Sequence, residues 1–355
     1  MLFIITGTLI GTDIISLPSK ASENSAQNGW ISIIVGAVLP FIMVILIERA
    51  CRLYPDMTLI DIVKTSLGKV VGTIAAVFFI LFASYITIVV VRVFSEIAKL
   101  YLLPETPIPV IALTEIIIVA YVTIKGVKTL ARLNEILFYL LVFSILMILL
   151  PSIKLFDYTN ILPVGNIGLL PIIKDGINTS FSYAGVDVML VFYTLTGKKD
   201  EVMKAGIIAV AAVMTIYTLI TAACILSLGS EAMQKIMFPP ITMIKGVSLP
   251  VIERPETFFL TFWMVLTTKP AINYSYCACF STARLLGVNI EKNAKYILIP
   301  YCIIILAGAS IFKDIIQAFE FAGIAGILFF IVGLGYPLLI LITKYLFKRK
   351  DRRID

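Results

Sequence analysis

Gly176-Ile-Asn-Thr-Ser-Phe-Ser-Tyr-Ala-Gly-Val-Asp-Val-Met-Leu-Val-Phe192 is apolar at both ends, yet its middle carries Asn178, Thr179, Ser180, Ser182, Gly185 and Asp187. A helix facing lipid along its whole length is not built this way. Unpaired backbone groups in hydrocarbon cost several kcal/mol each, so irregular backbone survives there only when buried in protein or lining a wet cavity. The segment reads as a transmembrane helix broken near Phe181 to Gly185, its freed amides and carbonyls available to a small polar ligand. A Gly- and Ser-containing packing face between membrane helices is the competing reading.

The start of the chain favours the break. In residues 1–19, Thr6, Gly7, Thr8, Gly11, Thr12 and Asp13 interrupt an apolar run that Pro18 and Ser19 close. The ten residues before Gly11 span about 15 Å as helix, half a bilayer. Either this first half-helix is short or the chain continues upstream of it.

The rest of the sequence supports a membrane setting. Of 355 residues 60% are hydrophobic and 14% charged, with a mean hydropathy of +1.02, far from the balance of a soluble domain. Ten stretches are candidates to span a bilayer, near 1–18, 30–50, 70–98, 107–124, 133–151, 171–195, 203–228, 256–286, 294–312 and 317–347. Nineteen Lys and Arg residues fall after even-numbered stretches and in the tail, and eight after odd-numbered ones. That bias predicts both termini in the cytoplasm, and it accounts for the net charge of +7 without a nucleic-acid partner. There is no His, which removes imidazole ligands and relays. Cys51, Cys224, Cys277, Cys279 and Cys302 lie in or beside apolar runs and read as buried, inert thiols. Neither a cofactor nor a metal site is expected.

The predicted fold is all-α and polytopic, one transmembrane domain whose halves, 1–151 and 171–347, hold five stretches each, followed by a basic cytoplasmic tail at 348–355. Each half opens with its interrupted helix. Broken helices in matching positions of two halves point to a midplane binding site in an inverted-repeat, LeuT-like 5+5 architecture.

Charged residues inside the spans are the next candidates. In the third stretch Ser84, Tyr85, Arg92, Ser95, Glu96 and Lys99 share one helical stripe. Arg92 and Glu96 are spaced i,i+4 and can neutralise each other, as a structural pair near the outer surface or as a gate over a ligand. In the eighth stretch Lys269 lies mid-span, with Thr268, Asn273, Tyr276 and Cys277 near the same face, and should face the bundle interior. Lys269 either stands in for a bound cation beside the broken first helix or is an anchoring charge paired with a helix carbonyl. Pro270 frees the carbonyl of Leu266. Asp187 follows the break in the sixth stretch and is either a ligand contact or a capping or paired carboxylate. The Pro-rich outer segments 154–175 and 237–256, the latter including Pro250, carry no catalytic pattern.

The order of Ile10-Gly-Thr12, Leu17-Pro-Ser19, Gly29-Trp-Ile31, Arg52-Leu-Tyr-Pro55, Leu103-Pro-Glu-Thr-Pro107, Lys125-Gly126, Ala131-Arg132 with Glu135, Leu162-Pro163 and Lys269 resembles the membrane-embedded B subunit of GerA-type spore germinant receptors. The resemblance implies a ten-helix permease-like fold of the amino acid-polyamine-organocation superfamily. It implies the inner membrane of a dormant spore, a small nutrient ligand, often an amino acid, and two partners: an A-type membrane subunit and a C-type lipoprotein.

On this reading the ligand-binding candidates are Thr8, Gly11, Thr12, Tyr85, Phe181, Ser182, Tyr183, Gly185 and Asp187, and the ion-substituting or gating ones Lys269, Asn273, Arg92 and Glu96. The ligand's carboxylate would meet amides around Gly11 and Thr12, and its ammonium the carbonyls from Phe181 to Ala184, because half-helix ends carry opposite partial charges. A cation- or proton-coupled amino-acid permease, with Lys269 or Asp187 exchanging protons, is the second expectation and a non-binding assembly subunit the third. No nucleophile-base set or phosphate loop suggests an enzyme.

Overall fold

The computed structural model describes residues 1–247, 254–288 and 290–351, and all regular structure among them is helical. The first membrane helix is in two pieces. α1 (Leu2–Leu9) stops at Ile10, a single 3₁₀ turn covers Thr12–Ile15, and α2 (Leu17–Ala21) follows with Pro18 in its first turn, where a missing N–H costs nothing. α3 (Gly29–Gly36) and α4 (Val38–Arg52) continue nearly in line as one apolar span, Ala26–Arg52.

α5 (Leu59–Leu67) is a short amphipathic helix between spans. Thr58 and Asp61 form a reciprocal capping box, and Arg284 donates to Asp61 Oδ2 at 3.0 Å. Partial burial pulls the Asp61 carboxyl upward, but hydrogen bonds from Thr58 and the charge of Arg284 outweigh it and hold the group below its ordinary value. α6 (Lys69–Tyr101), α7 (Ile108–Lys125) and α8 (Val127–Ser152) follow as long apolar helices. Gly126 at φ +82° makes the tight corner between the last two.

The sixth membrane helix is broken as the first one is. α9 (Leu169–Ser180) gives way to 3₁₀ turns at Phe181–Tyr183 and Val186–Val188 before α10 (Met189–Leu195). α11 (Val202–Leu228) crosses next, and α12 (Ser230–Lys235) and α13 (Pro239–Lys245) are short surface helices. α14 (Pro255–Leu286) runs through Pro270 without ending, then come α15 (Ile290–Ser310) and α16 (Ile315–Phe330). A π turn at Ile331–Gly335 leads into α17 (Tyr336–Asp351).

Among the described residues six helical stretches are long and apolar enough to cross a membrane: Ala26–Arg52, Lys69–Tyr101, Ile108–Lys125, Val127–Leu155, Lys199–Leu228 and Ile315–Tyr345. The other four expected stretches differ for identifiable reasons. The first and sixth are interrupted. α14 has the length, but Thr267, Thr268, Lys269, Asn273 and Ser275 make its centre polar. The apolar part of α15, Ala294–Ser310, is shorter. Pro250, the side chains of Lys292, Lys348, Arg349 and Lys350, and the tail positions Arg352 and Arg353 lie outside the described residues.

α14 is buried on nearly all sides and packs most extensively along α6. α1 inserts between α11, α8 and α14. The segment after the first helix is tied to the start of the sixth: both oxygens of buried Asp175 accept from Asn24, and Oδ2 also accepts from the Ser25 amide. Gln27 and Asn28 likewise bind the 163–166 loop. The two broken helices are therefore pinned together, and their interruptions lie side by side.

Candidate functional site

The α1 interruption packs closely on α14: at Gly11 a Cβ would come within 3.1 Å of Pro270 Cγ, so a larger residue requires the two helices to adjust. No hydrogen bond to the Gly11 amide forms among the described residues. Gly185 in the other break sits at φ +134°, and a Cβ there would lie 2.9 Å from the Thr8 carbonyl carbon and 3.0 Å from the Leu9 nitrogen. Only glycine takes that dihedral without strain.

Between the breaks lies a cavity of about 80 Å³. Thr8, Leu9, Gly11, Thr12 and Asp13 line it from the first helix, and Phe181, Ser182 and Ala184 from the sixth. Ile86, Val89 and Val90 of α6, Pro270 and Tyr274 of α14, and Ala322, Ala325 and Gly326 of α16 complete the wall. Polar atoms are few and sit at the two breaks, the arrangement of a small-molecule site. Phe181 lies against Gly326 and packs edge-on against Phe330, with ring centroids 5.0 Å apart.

The expected site residues divide sharply. Thr8, Gly11, Thr12, Phe181 and Ser182 line the cavity. Tyr183 and Gly185 belong to the break but face away: Tyr183 donates to the Ile33 carbonyl at 3.0 Å, and Gly185 backs onto α1. Tyr85 lies outside the cavity because its hydroxyl donates to Phe321 O at 2.9 Å. Asp187 is buried behind it, with Oδ1 accepting from Tyr274 at 2.7 Å. Arg92 and Glu96 do pair, away from the cavity; the guanidinium also donates to Ala309 O at 3.0 Å and lies over Phe312.

Lys269 and Asn273 form a second polar group beside α1. Asn273 Nδ2 donates to Thr8 Oγ1 at 2.7 Å and is exchanged with Asn134 of α8 in reciprocal hydrogen bonds of 3.0 and 3.2 Å. The Lys269 stem crosses α1 at Gly7, where a Cβ would lie 3.4 Å from Cδ. Lys269 is 1% exposed, and among the described residues its ammonium has neither a hydrogen-bond nor an ion-pair partner. Among the described residues, the anchoring bond to a helix carbonyl considered from the sequence is not formed.

Three residues that sequence reasoning missed hold this site together. Asp13 lines the cavity, accepts from Ser182 Oγ at 2.8 Å across the two breaks, and pairs with Lys20 at 3.4 Å. Its place inside Gly11-Thr12-Asp13 was the available signal. Tyr217 of α11 donates to Leu9 O at 2.8 Å and to Ser182 O at 3.3 Å, so a carbonyl expected to meet a ligand ammonium is already engaged. Neither Tyr217 nor Asn134 stands out in its helix, because each becomes polar hardware only through partners more than thirty residues away.

Comparisons with known proteins agree with this architecture. The crystal structure of MhsT in complex with L-phenylalanine superposes with a TM-score of 0.64 over 97% of each chain at 13% identity, a likeness of fold. Spore germination protein YndE of Bacillus subtilis (strain 168) is 27% identical over 79% of this chain and 78% of its own. Spore germination protein A2 of the same organism is 26% identical over 82% and 80%, and spore germination protein KB 24% identical over 82% and 78%. The spore permease family model, described as spore germination protein, matches residues 1–318. A multi-pass helical protein with two broken helices around a cavity, matched over that length, belongs to the spore germination protein family of permease-like membrane proteins.

Proposed function

We propose that this chain is the B-type, nutrient-binding membrane subunit of a spore germinant receptor, and that it holds a small amino acid between its two helix breaks. The observation that carries this reading is the cavity itself. It lies where two interrupted helices meet, with an unbonded Gly11 amide on one side and Asp13 and Ser182 at its rim. The amide suits a ligand carboxylate and the Asp13 carboxylate an ammonium. A cavity of about 80 Å³ is several times the minimum of about 10 to 15 Å³ that holds one water, which suits a ligand from the small end of the amino acids.

In this reading ten helices form a 5+5 inverted repeat, both termini face the cytoplasm, and an A-type membrane subunit and a C-type lipoprotein complete the receptor in the spore inner membrane. The test is calorimetric binding to the purified subunit in lipid nanodiscs. Alanine-sized amino acids should bind, phenylalanine at least tenfold more weakly, and the Gly185→Ala variant should bind neither. A folded subunit that binds no small amino acid, alone or with its partners, would refute the assignment. In spores, Gly11→Val and Gly185→Val should abolish nutrient-triggered germination while the protein still accumulates.

The permease alternative, with Lys269 or Asp187 exchanging protons and a fixed ammonium in place of a coupling sodium ion, draws on one observation: Lys269 is buried beside α1 with no partner among the described residues. An ammonium there can occupy the place of a bound sodium ion. Replacing it by Thr should then make ligand binding sodium-dependent. Binding that stays indifferent to sodium in Lys269→Thr would remove this role. The third alternative, a non-binding assembly subunit, has no use for two broken helices.

A further inference from the structure

Asp187 does not line the cavity but is hydrogen-bonded to a residue that does. Its side chain is fully buried, and Oδ1 accepts a hydrogen bond of 2.7 Å from Tyr274, one of the cavity-lining residues. Oδ2 receives no hydrogen bond among the described residues, although the amides of Gly185 and Asp187 lie near the carboxyl group. An ionised carboxylate with one oxygen bare in a dry interior forfeits several kcal/mol of solvation. A carboxylic acid forfeits far less.

Among the described residues no closely packed neighbour supplies the missing charge. The main contacts of the Val186–Val188 turn are with α1, α4, α10, α14 and the π turn. α14 brings Tyr274 and Cys277 to Asp187, while its buried cation Lys269 lies instead with its stem against Gly7 of α1. α1 and the π turn carry no titratable side chain. α10 contributes Tyr193, and α4 contributes Glu48, Cys51 and Arg52, which surround Tyr193 rather than Asp187, with Glu48 and Arg52 paired at 3.9 Å; Arg49 of α4 is exposed.

We propose that Asp187 is a proton-binding site in exchange with the cavity through the hydroxyl of Tyr274. On release, the carboxyl group turns to present its O–H to the Tyr274 oxygen and the tyrosine O–H, which in this structure points at Oδ1, swings toward the cavity; the tyrosine oxygen then takes the Asp187 proton while its own passes to a water or a ligand base. Tyr274 ends neutral, Asp187 ends as a carboxylate, and one proton has moved outward; uptake is the reverse. A cationic group seated against the Tyr274 oxygen favours the carboxylate form, so occupancy of the cavity and loss of the proton are linked. The proton site itself does not depend on which ligand binds.

The experiment is infrared difference spectroscopy of the full chain in lipid nanodiscs at neutral pH. A carbonyl-stretch band of a buried carboxylic acid should be present, and Asp187→Asn should abolish it. Labelling aspartate with ¹³C at the carboxyl carbon should shift the same band without any change of sequence, which keeps the test valid if the variant misfolds and separates Asp187 from buried Glu115. In Tyr274→Phe the band should persist, but its shift on transfer to D₂O should slow at least tenfold. A band that neither label nor variant moves, or no band, would overturn the proton site. Equal exchange in wild type and Tyr274→Phe would overturn the route. Neither result bears on whether an amino acid binds the cavity, which calorimetry decides separately.

Discussion

Gly185→Ala adds a single methyl group, and the structure says where it goes. The new Cβ would lie 2.9 Å from the Thr8 carbonyl carbon, 3.0 Å from the Leu9 nitrogen and 3.0 Å from Thr8 Cγ2. Two of the three are backbone atoms of α1, which Asn273, Tyr217 and the packing of α11 and α14 hold in place, so no side-chain rotation relieves the contact. The dihedral of +134° adds its own penalty of about 1 to 3 kcal/mol, and overpacking a filled site another 1 to 3. The expected cost is about 2 to 6 kcal/mol, taken either as lost stability or as displacement of α1 that reshapes the cavity. Thermal unfolding in nanodiscs, read beside calorimetric binding of alanine, detects both. Gly197→Ala and Gly323→Ala are the controls, since a Cβ at either meets nothing within 4 Å. A Gly185→Ala protein that melts and binds like these controls would refute the claim that the two breaks are mutually fitted.

Tyr217→Phe should weaken the protein by about 0.6 kcal/mol and at most about 1.7, the mean and maximum for interhelical hydrogen bonds in a membrane protein, with alanine affinity falling as the two breaks loosen; unchanged affinity would mean that Tyr217 is only a packing residue. Asn273→Ala should cost about 1 to 3 kcal/mol because Asn134 and Thr8 lose their partner. The Asn134→Ala, Asn273→Ala double variant should cost less than the sum of the singles, and strict additivity in the cycle would show the pair to be uncoupled. The Asp61 carboxyl sits below its unfolded value, so its contribution is present above that value and is lost as pH falls through the lower, folded one. Asp61→Asn should lower stability at neutral pH by less than about 1 kcal/mol, since the pair with Arg284 is partly exposed, and the difference from wild type should vanish in acid; a difference that persists there would place its origin elsewhere.

The sequence by itself determined the membrane class, the helical fold and the two interruptions. These rest on local chemistry: apolar runs of bilayer length, and Gly, Ser, Thr and Asp where a lipid-facing helix cannot carry them. It also marked Thr8, Gly11, Thr12, Phe181 and Ser182, because residues at a break contribute backbone and side chains to whatever lies between the broken helices. Only the tertiary structure decided which neighbours of a break face the cavity. Tyr183 sits one position from a lining residue yet turns away to the Ile33 carbonyl, since successive residues in a 3₁₀ turn point in different directions, and Gly185, between the two turns, backs onto α1. Tyr85 and Arg92 share a helical stripe, but each is drawn off to a carbonyl on a distant helix, Phe321 or Ala309. Asp13, Tyr217 and Asn134 acquire their roles from partners on other elements of the chain. Such pairings depend on how helices cross, and helical periodicity along one segment carries no record of them.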